Sequence, residues 1–145
     1  MRMSLIKWSS LVSLMLFLSL SGVAQAGIAV IAHPSNPLAG ISQEQLERIY
    51  MGKTREFPNG APVTALDLRE GSVTRAKFYK SITDKSEAAL KAYWSKLLFT
   101  GQAQPPKEMN DDDAVKEWVS KNPDALGYVD GKSLDKSVKV LLILP

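Results

Sequence analysis

Apolar positions in the first half of the chain predict a strand, a helix and a second strand. Residues 27–32 are apolar and β-branched and end at a loop with two prolines, which is typical of a buried strand. Ser42 and Gln45 have capping-box spacing, so we expect a helix there that ends at Gly52. The apolar face of that helix holds Leu46, Ile49 and Tyr50. Residues 62–68 alternate in the manner of a strand.

The strongest helical periodicity follows in the middle of the chain. Gly71 and Ser72 are predicted to open a helix. The apolar face of that helix comprises Ala76, Phe78, Tyr79 and Ile82. Asp84 and Glu87 have the spacing of a second capping box, so we expect another helix to start at Asp84. Its i, i+3, i+4 pattern comprises Leu90, Tyr93, Trp94, Leu97 and Leu98.

The last third of the chain predicts a loop, one more helix and two strands. Residues 101–106 form the loop, and the acidic run 111–113 supplies the negative charge that a helix start favours. The core face of this helix comprises Ala114, Val115, Trp118 and Val119. Residues 125–129 and 137–144 are the predicted strands. Strands that alternate with helices predict an α/β fold with helices on both faces of the sheet.

Residues 1–26 have the features of a cleavable secretory signal peptide. Arg2 and Lys7 precede an apolar run over 11–20, and Ala24 and Ala26 form a small-x-small cleavage site. A membrane anchor would need an apolar span of about 20 residues, which is longer than this run. We therefore expect a mature chain of residues 27–145 that is periplasmic and has no membrane anchor after cleavage.

Composition narrows the possible functions. A chain of 145 residues corresponds to about one domain, and its lack of cysteine excludes disulfides, cysteine-ligated zinc, thiol catalysis and a lipid-modified cysteine. Of 18 basic residues, Arg2 and Lys7 belong to the signal peptide, which leaves 16 basic residues against 15 acidic ones. Because this balance is close to neutral, nothing in it favours nucleic acid or an anionic membrane as a partner.

The most informative segment joins the predicted strand 62–68 to the helix after it. A helix start presents unpaired N–H groups and the positive end of the helix dipole, so it suits an anion. Here Ser72 and Thr74 add hydroxyl donors, and Arg69 and Arg75 add guanidinium groups that could pair with an oxyanion. The alternative is that Ser72 only caps its own helix and that both arginines are solvated.

Other candidate groups give weaker signals. His33 is the only histidine, and a single histidine builds neither a metal site nor a Ser–His–acid constellation. Gly52 and Lys53 lack the upstream glycine of a nucleotide-binding P-loop. The acidic run 111–113 lacks calcium-loop spacing. We therefore expect no cofactor, no metal and no enzymatic activity.

Four ordered segments resemble the phosphate-binding proteins of ABC transporters. Residues 71–75, Gly-Ser-Val-Thr-Arg, are similar to the Gly-Ser-Gly-Thr-Arg/Ser helix start of that family. Residues 41–53 resemble its Leu-Ser, Gln-Leu, Ile-Phe, Gly-Lys segment, and Trp94 with 99–101 resembles a later helix and loop. Residues 125–129, Ala-Leu-Gly-Tyr-Val, resemble its Ala-Ile-Gly-Tyr-Val strand.

This resemblance implies one lobe of a periplasmic-binding-protein-like fold, three-layered, with a mixed, mostly parallel sheet. The family has two lobes around a cleft, and the chain matches only the second. It also has Leu68 where the family often has arginine, and Val73 where the family has glycine. The oxyanion-binding residues that the helix start and the resemblance together suggest are Gly71, Ser72, Val73, Thr74, Arg75 and Arg69.

Two functions remain open from the sequence. The first is an exported binding protein for phosphate or a similar oxyanion, acting with an ABC permease or a sensor protein and completing its cleft as a homodimer or on another protein. The second is an interaction or sensory module that kept the fold without the ligand, with Leu68 and Val73 as the signs of that loss.

Overall fold

The computed structural model describes residues 27–145, and within them five strands form one mixed sheet. The predicted signal peptide, residues 1–26, lies outside the described residues. The strands are β1 (Ile28–Ala32), β2 (Thr64–Leu68), β3 (Lys107–Met109), β4 (Ala125–Asp130) and β5 (Lys139–Leu144). Their order across the sheet is β3-β2-β4-β1-β5.

Most strands of the sheet run in one direction. β2 pairs in parallel with β3 and with β4, whereas β1 lies antiparallel between β4 and β5. Only β1 is therefore reversed among the strands described. All five residues of β1 are buried, as expected for a central strand that is covered on both faces. The predicted α/β fold with a mixed, mostly parallel sheet is confirmed.

Four α-helices pack around this sheet in the described part of the chain. They are α1 (Gln43–Tyr50), α2 (Val73–Thr83), α3 (Glu87–Thr100) and α4 (Asp112–Lys121), and a short 3-10 turn follows β4 at Gly131–Ser133. The capping box at the start of α1 is present: Ser42 accepts from the Gln45 N–H, and the Gln45 side chain accepts from the Ser42 N–H.

Two neighbouring residues of β4 show how the helices are divided between the two faces of the sheet. A Cβ on Gly127 would lie 2.6 Å from Cγ1 of Val115, so α4 approaches the backbone closely on one face. Tyr128 points to the other face and stacks on Phe78 of α2, with ring centroids 3.7 Å apart. Tyr50 of α1 packs edge-on against the same two rings. Helix, sheet and helix therefore form three layers.

The second predicted capping box is wrong. Ser86 caps α3 by accepting a hydrogen bond from the Ala89 N–H (3.2 Å), so the helix begins two residues later than predicted. Asp84 instead ends α2 in a left-handed conformation, with φ of 58°. The sequence is ambiguous here because aspartate suits a helix N-cap and also tolerates the left-handed backbone of a helix C-cap.

Parts of two predicted apolar faces are also wrong. Ala76 is exposed, and Leu98 is 52% exposed next to Phe99 at 92%. Helix α3 buries Leu90 and Trp94 and extends its last turn beyond the core. In α4, Val115 and Val119 are buried while Ala114 and Trp118 are half-buried. Strand β3 was not predicted; it begins where the predicted loop ends.

Among residues 27–145 no helix combines the length and hydropathy that a membrane crossing requires.

Candidate anion-binding site

The junction between β2 and α2 forms an open helix start. Gly71 has φ of +89°, a conformation that favours glycine, and nothing lies within 4 Å of the position of a Cβ there. Ser72 is the N-cap, and its Oγ accepts a hydrogen bond from the Arg75 N–H (3.2 Å). The N–H groups of Val73 and Thr74 have no partner among the described residues. The first turn of α2 therefore presents two backbone donors.

The candidate side chains at this junction differ in their exposure. Val73 is 68% exposed, Arg69 is exposed, and Ser72 and Thr74 are half-buried. Arg69 makes no ion pair with the described residues, and its backbone N–H donates to the Met109 carbonyl of β3 (3.2 Å). The backbone of Arg69 is therefore fixed by strand pairing, while its side chain is free to contact an anion.

Arg75 points into the protein instead of toward the open turn. Its Nε lies 3.7 Å from Oδ2 of Asp67 and 3.8 Å from Oε1 of Glu87, and its side chain is only 13% exposed. Burial lowers the pKa of Arg75, but the two carboxylates more than offset this and raise it overall. Arg75 therefore already has carboxylate partners within the chain.

Asp67 is a site residue that the sequence analysis missed. It is 6% exposed near the end of β2, and its carboxylate accepts hydrogen bonds from the hydroxyls of Tyr79 (2.7 Å) and Tyr128. Burial raises the pKa of Asp67, while the bonds from Tyr128 and Tyr79 and the charge of Arg75 oppose that rise. The signal in the sequence is a carboxylate between two leucines of an apolar strand.

These contacts link strand β2 to helix α2 beneath the open turn. Both Tyr79 and Arg75 lie on α2, so Asp67 holds one helix through two side chains. Tyr128 accepts from the Leu68 N–H (3.3 Å) and thereby ties the same strand to β4. Tyr128 is fully buried and belongs to the core.

A cleft of about 690 Å³ lies on one side of the helix start. Its near wall includes Ser72 and Glu70, and its far wall is the start of α4 with the acidic run 111–113. Asp111 caps α4 by accepting from the Ala114 N–H (2.8 Å), and Asp112 accepts from the Ser133 hydroxyl (2.6 Å). The predicted role of this run at a helix start is confirmed, and it makes the cleft acidic.

Metal-binding geometry does not occur in the part of the chain that the structure describes. No group of three or more histidine or acidic side chains in residues 27–145 is arranged to hold an ion. His33 lies in the exposed loop after β1, where its Nδ1 is 2.7 Å from the Ser35 hydroxyl.

Comparisons with known proteins identify the fold. No protein-family model matches the sequence. A Clostridium perfringens protein described as a phosphate ABC transporter substrate-binding protein, solved with bound phosphate, is 27% identical, with a TM-score of 0.62, over 79% of this chain and 44% of that one.

Two further solved structures match the same share of this chain, 79%. An ABC-type phosphate transport receptor from Vibrio cholerae is 22% identical, with a TM-score of 0.64, over 45% of its own length. A Borrelia burgdorferi protein, PstS, is 16% identical, with a TM-score of 0.60, over 46% of its own length. The chain thus spans less than half of each solved protein, and its fold is that of a single lobe of the phosphate ABC transporter substrate-binding proteins.

Proposed function

We propose that this protein is a binding module for phosphate or a similar tetrahedral oxyanion, and not an enzyme. The observation that carries the proposal is the open, Ser72-capped start of α2 on a fold matched by a protein solved with bound phosphate. The match to that protein covers 79% of this chain.

The chemistry of the turn suits such a ligand. The free N–H groups of Val73 and Thr74 point out of the helix start, and the hydroxyls of Ser72 and Thr74 add neutral donors beside them. Gly71 leaves room for an anion to approach the backbone. Donors of fixed geometry at the positive end of a helix dipole stabilise an oxyanion without needing a large net charge.

The proposed setting is the periplasm. The signal-peptide features of residues 1–26 support export, and the solved neighbours that belong to ABC transporters support an ABC permease as the partner. A sensor protein is the alternative partner. Because the fold supplies one lobe, we propose that a second copy of the chain or another periplasmic protein covers the anion. The domain proposed for binding is residues 27–145.

Isothermal titration with phosphate at low salt tests the proposal. We expect saturable heat from the purified chain and its loss in the Ser72→Ala/Thr74→Ala double variant. Ser86→Ala is the matched control, because Ser72 and Ser86 each accept one helix-start N–H at 3.2 Å, but Ser86 lies outside the site. Heat that survives in the double variant, or that disappears equally in Ser86→Ala, would contradict binding at this turn.

A second candidate is a ligand-free interaction module, and specific contacts favour it. Arg75 is occupied by Asp67 and Glu87, and the cleft beside Ser72 is acidic. Val73 exposes an apolar side chain where the resembled motif has glycine. Absence of heat up to about 20 mM phosphate, well above a dissociation constant of about 1 mM, in monomer and dimer alike, would support this candidate over the first.

A further inference from the structure

The start of α2 is flanked by two cavities that differ in charge. The acidic cleft described above meets the Ser72 side of the turn. A second cavity of about 470 Å³ opens on the Thr74 side and is lined by Thr74, Lys77, Asp130 and Lys132, together with the outer ends of β1 and β5. An anion at this helix start therefore meets four carboxylates and Arg69 on one side, and two ammonium groups and Asp130 on the other.

The two lysines of the second cavity have no carboxylate partner in the described part of the chain. Neither Lys77 nor Lys132 forms an ion pair with any residue in 27–145. Asp130 is the one acidic side chain of residues 27–145 that lines this cavity, and its Oδ1 accepts from the Lys132 backbone N–H (2.9 Å), which fixes the turn after β4. Both ammonium groups thus remain available to a ligand.

Local structure brings the donors of this cavity together from distant parts of the chain. Thr74 and Lys77 are three residues apart on α2, so they lie on the same side of the helix. Lys132 lies in the 3-10 turn Gly131–Ser133, which follows β4. The Thr74 hydroxyl makes no hydrogen bond with the described residues. A hydroxyl and two ammonium groups therefore line one concave space of a size usual for small-ligand sites.

We propose that the oxyanion binds in this second cavity, with Lys77 and Lys132 as its charge-bearing ligands. This inference rests on the proposed function and names the side of the helix start that the anion occupies. Of the two arginines at the α2 start, Arg75 is already paired with Asp67 and Glu87, and Arg69 lines the acidic cleft beside four carboxylates. Carboxylates at 111–113 repel an anion in the opposite cleft, whereas the unpaired lysines attract it.

Charge-removing variants test this assignment by phosphate titration. We expect Lys77→Gln and Lys132→Gln each to weaken phosphate binding by roughly tenfold, because each removes a hydrogen bond to a charged group. Lys136→Gln is the matched control: it carries the same charge change on an exposed lysine that lines neither cavity. Its affinity for phosphate should stay within about twofold at fixed salt.

Amide chemical shifts in a phosphate titration give a second readout that needs no variant. We expect the largest changes at Thr74, Lys77 and Lys132, with small changes over 111–113. One set of results would show that this assignment is wrong while the proposed function stands. In it, Ser72→Ala/Thr74→Ala abolishes phosphate binding, both lysine variants bind phosphate normally, and the shift changes cluster at 111–113. If the wild-type chain shows neither heat nor shifts with phosphate, both fail together.

Discussion

A single buried carboxylate holds the strand and helix that build the candidate site. Asp67 accepts hydrogen bonds from Tyr79 and Tyr128 and pairs with Arg75, so its removal leaves two buried hydroxyl donors without their acceptor and Arg75 with Glu87 alone. We expect Asp67→Ala to lower the free energy of unfolding by about 3–5 kcal/mol. Urea unfolding measures this, with Glu108→Ala on exposed β3 as the control. An Asp67→Ala chain as stable as that control would contradict the role.

The raised pKa of Asp67 makes its contribution to stability depend on pH. Burial raises the pKa of this carboxyl in the folded chain above its ordinary value of 3.8, so the folded state holds the proton more tightly than the unfolded state does. The contribution of Asp67 to the free energy of unfolding therefore falls as the pH rises above that value.

Asp67→Asn isolates this effect because asparagine does not titrate. The lost hydrogen bonding of the variant adds an offset that does not depend on pH. We expect the difference in the free energy of unfolding between the wild type and Asp67→Asn to be larger near pH 4 than near pH 7. Urea unfolding at the two pH values measures it. A difference that grows with pH would mean that Tyr79, Tyr128 and Arg75 lower the pKa of Asp67 by more than burial raises it.

The residues at the α2 start illustrate what a sequence can predict about a candidate site. The local pattern Gly71-Ser72 places the turn and the N-cap, because both depend only on neighbouring backbone. The direction of the Arg75 side chain does not follow from that pattern. It is set by Asp67 on the preceding strand and by Glu87 on the following helix, and these meet only in the tertiary structure.

At the scale of elements, close packing between β4 and α4 depends on a glycine. A Cβ at Gly127 would lie 2.6 Å from Val115 Cγ1, which is too short for any real contact. We therefore expect Gly127→Ala to cost about 1–3 kcal/mol of unfolding free energy through overpacking. The Gly127→Ala/Val115→Ala double variant should be more stable than the sum of the single effects predicts. Strict additivity in urea unfolding would contradict this packing.

Among the four described helices, the starts of α1, α2 and α4 were predicted correctly from local chemistry; prediction failed at the start of α3 and where packing decides. The capping box at Ser42 and the acidic start of α4 are present because caps are local. Strand β3 has only three residues and no apolar pattern, and it exists because β2 offers a parallel partner. The exposed Leu98 follows the helical period of α3 but lies beyond the part of the core that the helix reaches.

At the scale of the whole molecule, the chain has the fold of one lobe, so the proposed anion site is enclosed on one side only. It spans 44–46% of the length of the solved phosphate-binding proteins that it matches. Both cavities at the α2 start are open, so water competes with phosphate for the same donors. We expect a monomer to bind phosphate with a dissociation constant on the order of 1 mM, and more weakly as salt is added. Submicromolar binding by a monomer in titration calorimetry would contradict this.

Covering the site links phosphate binding to assembly. Anything that seats over the α2 start and shields the anion strengthens phosphate binding, and by thermodynamic linkage phosphate strengthens that contact by the same factor. If the cover is a second copy, light scattering should show the mean mass rising with phosphate at fixed protein concentration. Lys77→Gln should move the rise to roughly tenfold higher phosphate, whereas Lys136→Gln should leave it unchanged. A mean mass that does not change with phosphate, although phosphate binds, would exclude self-association as the cover and leave that role to a different protein.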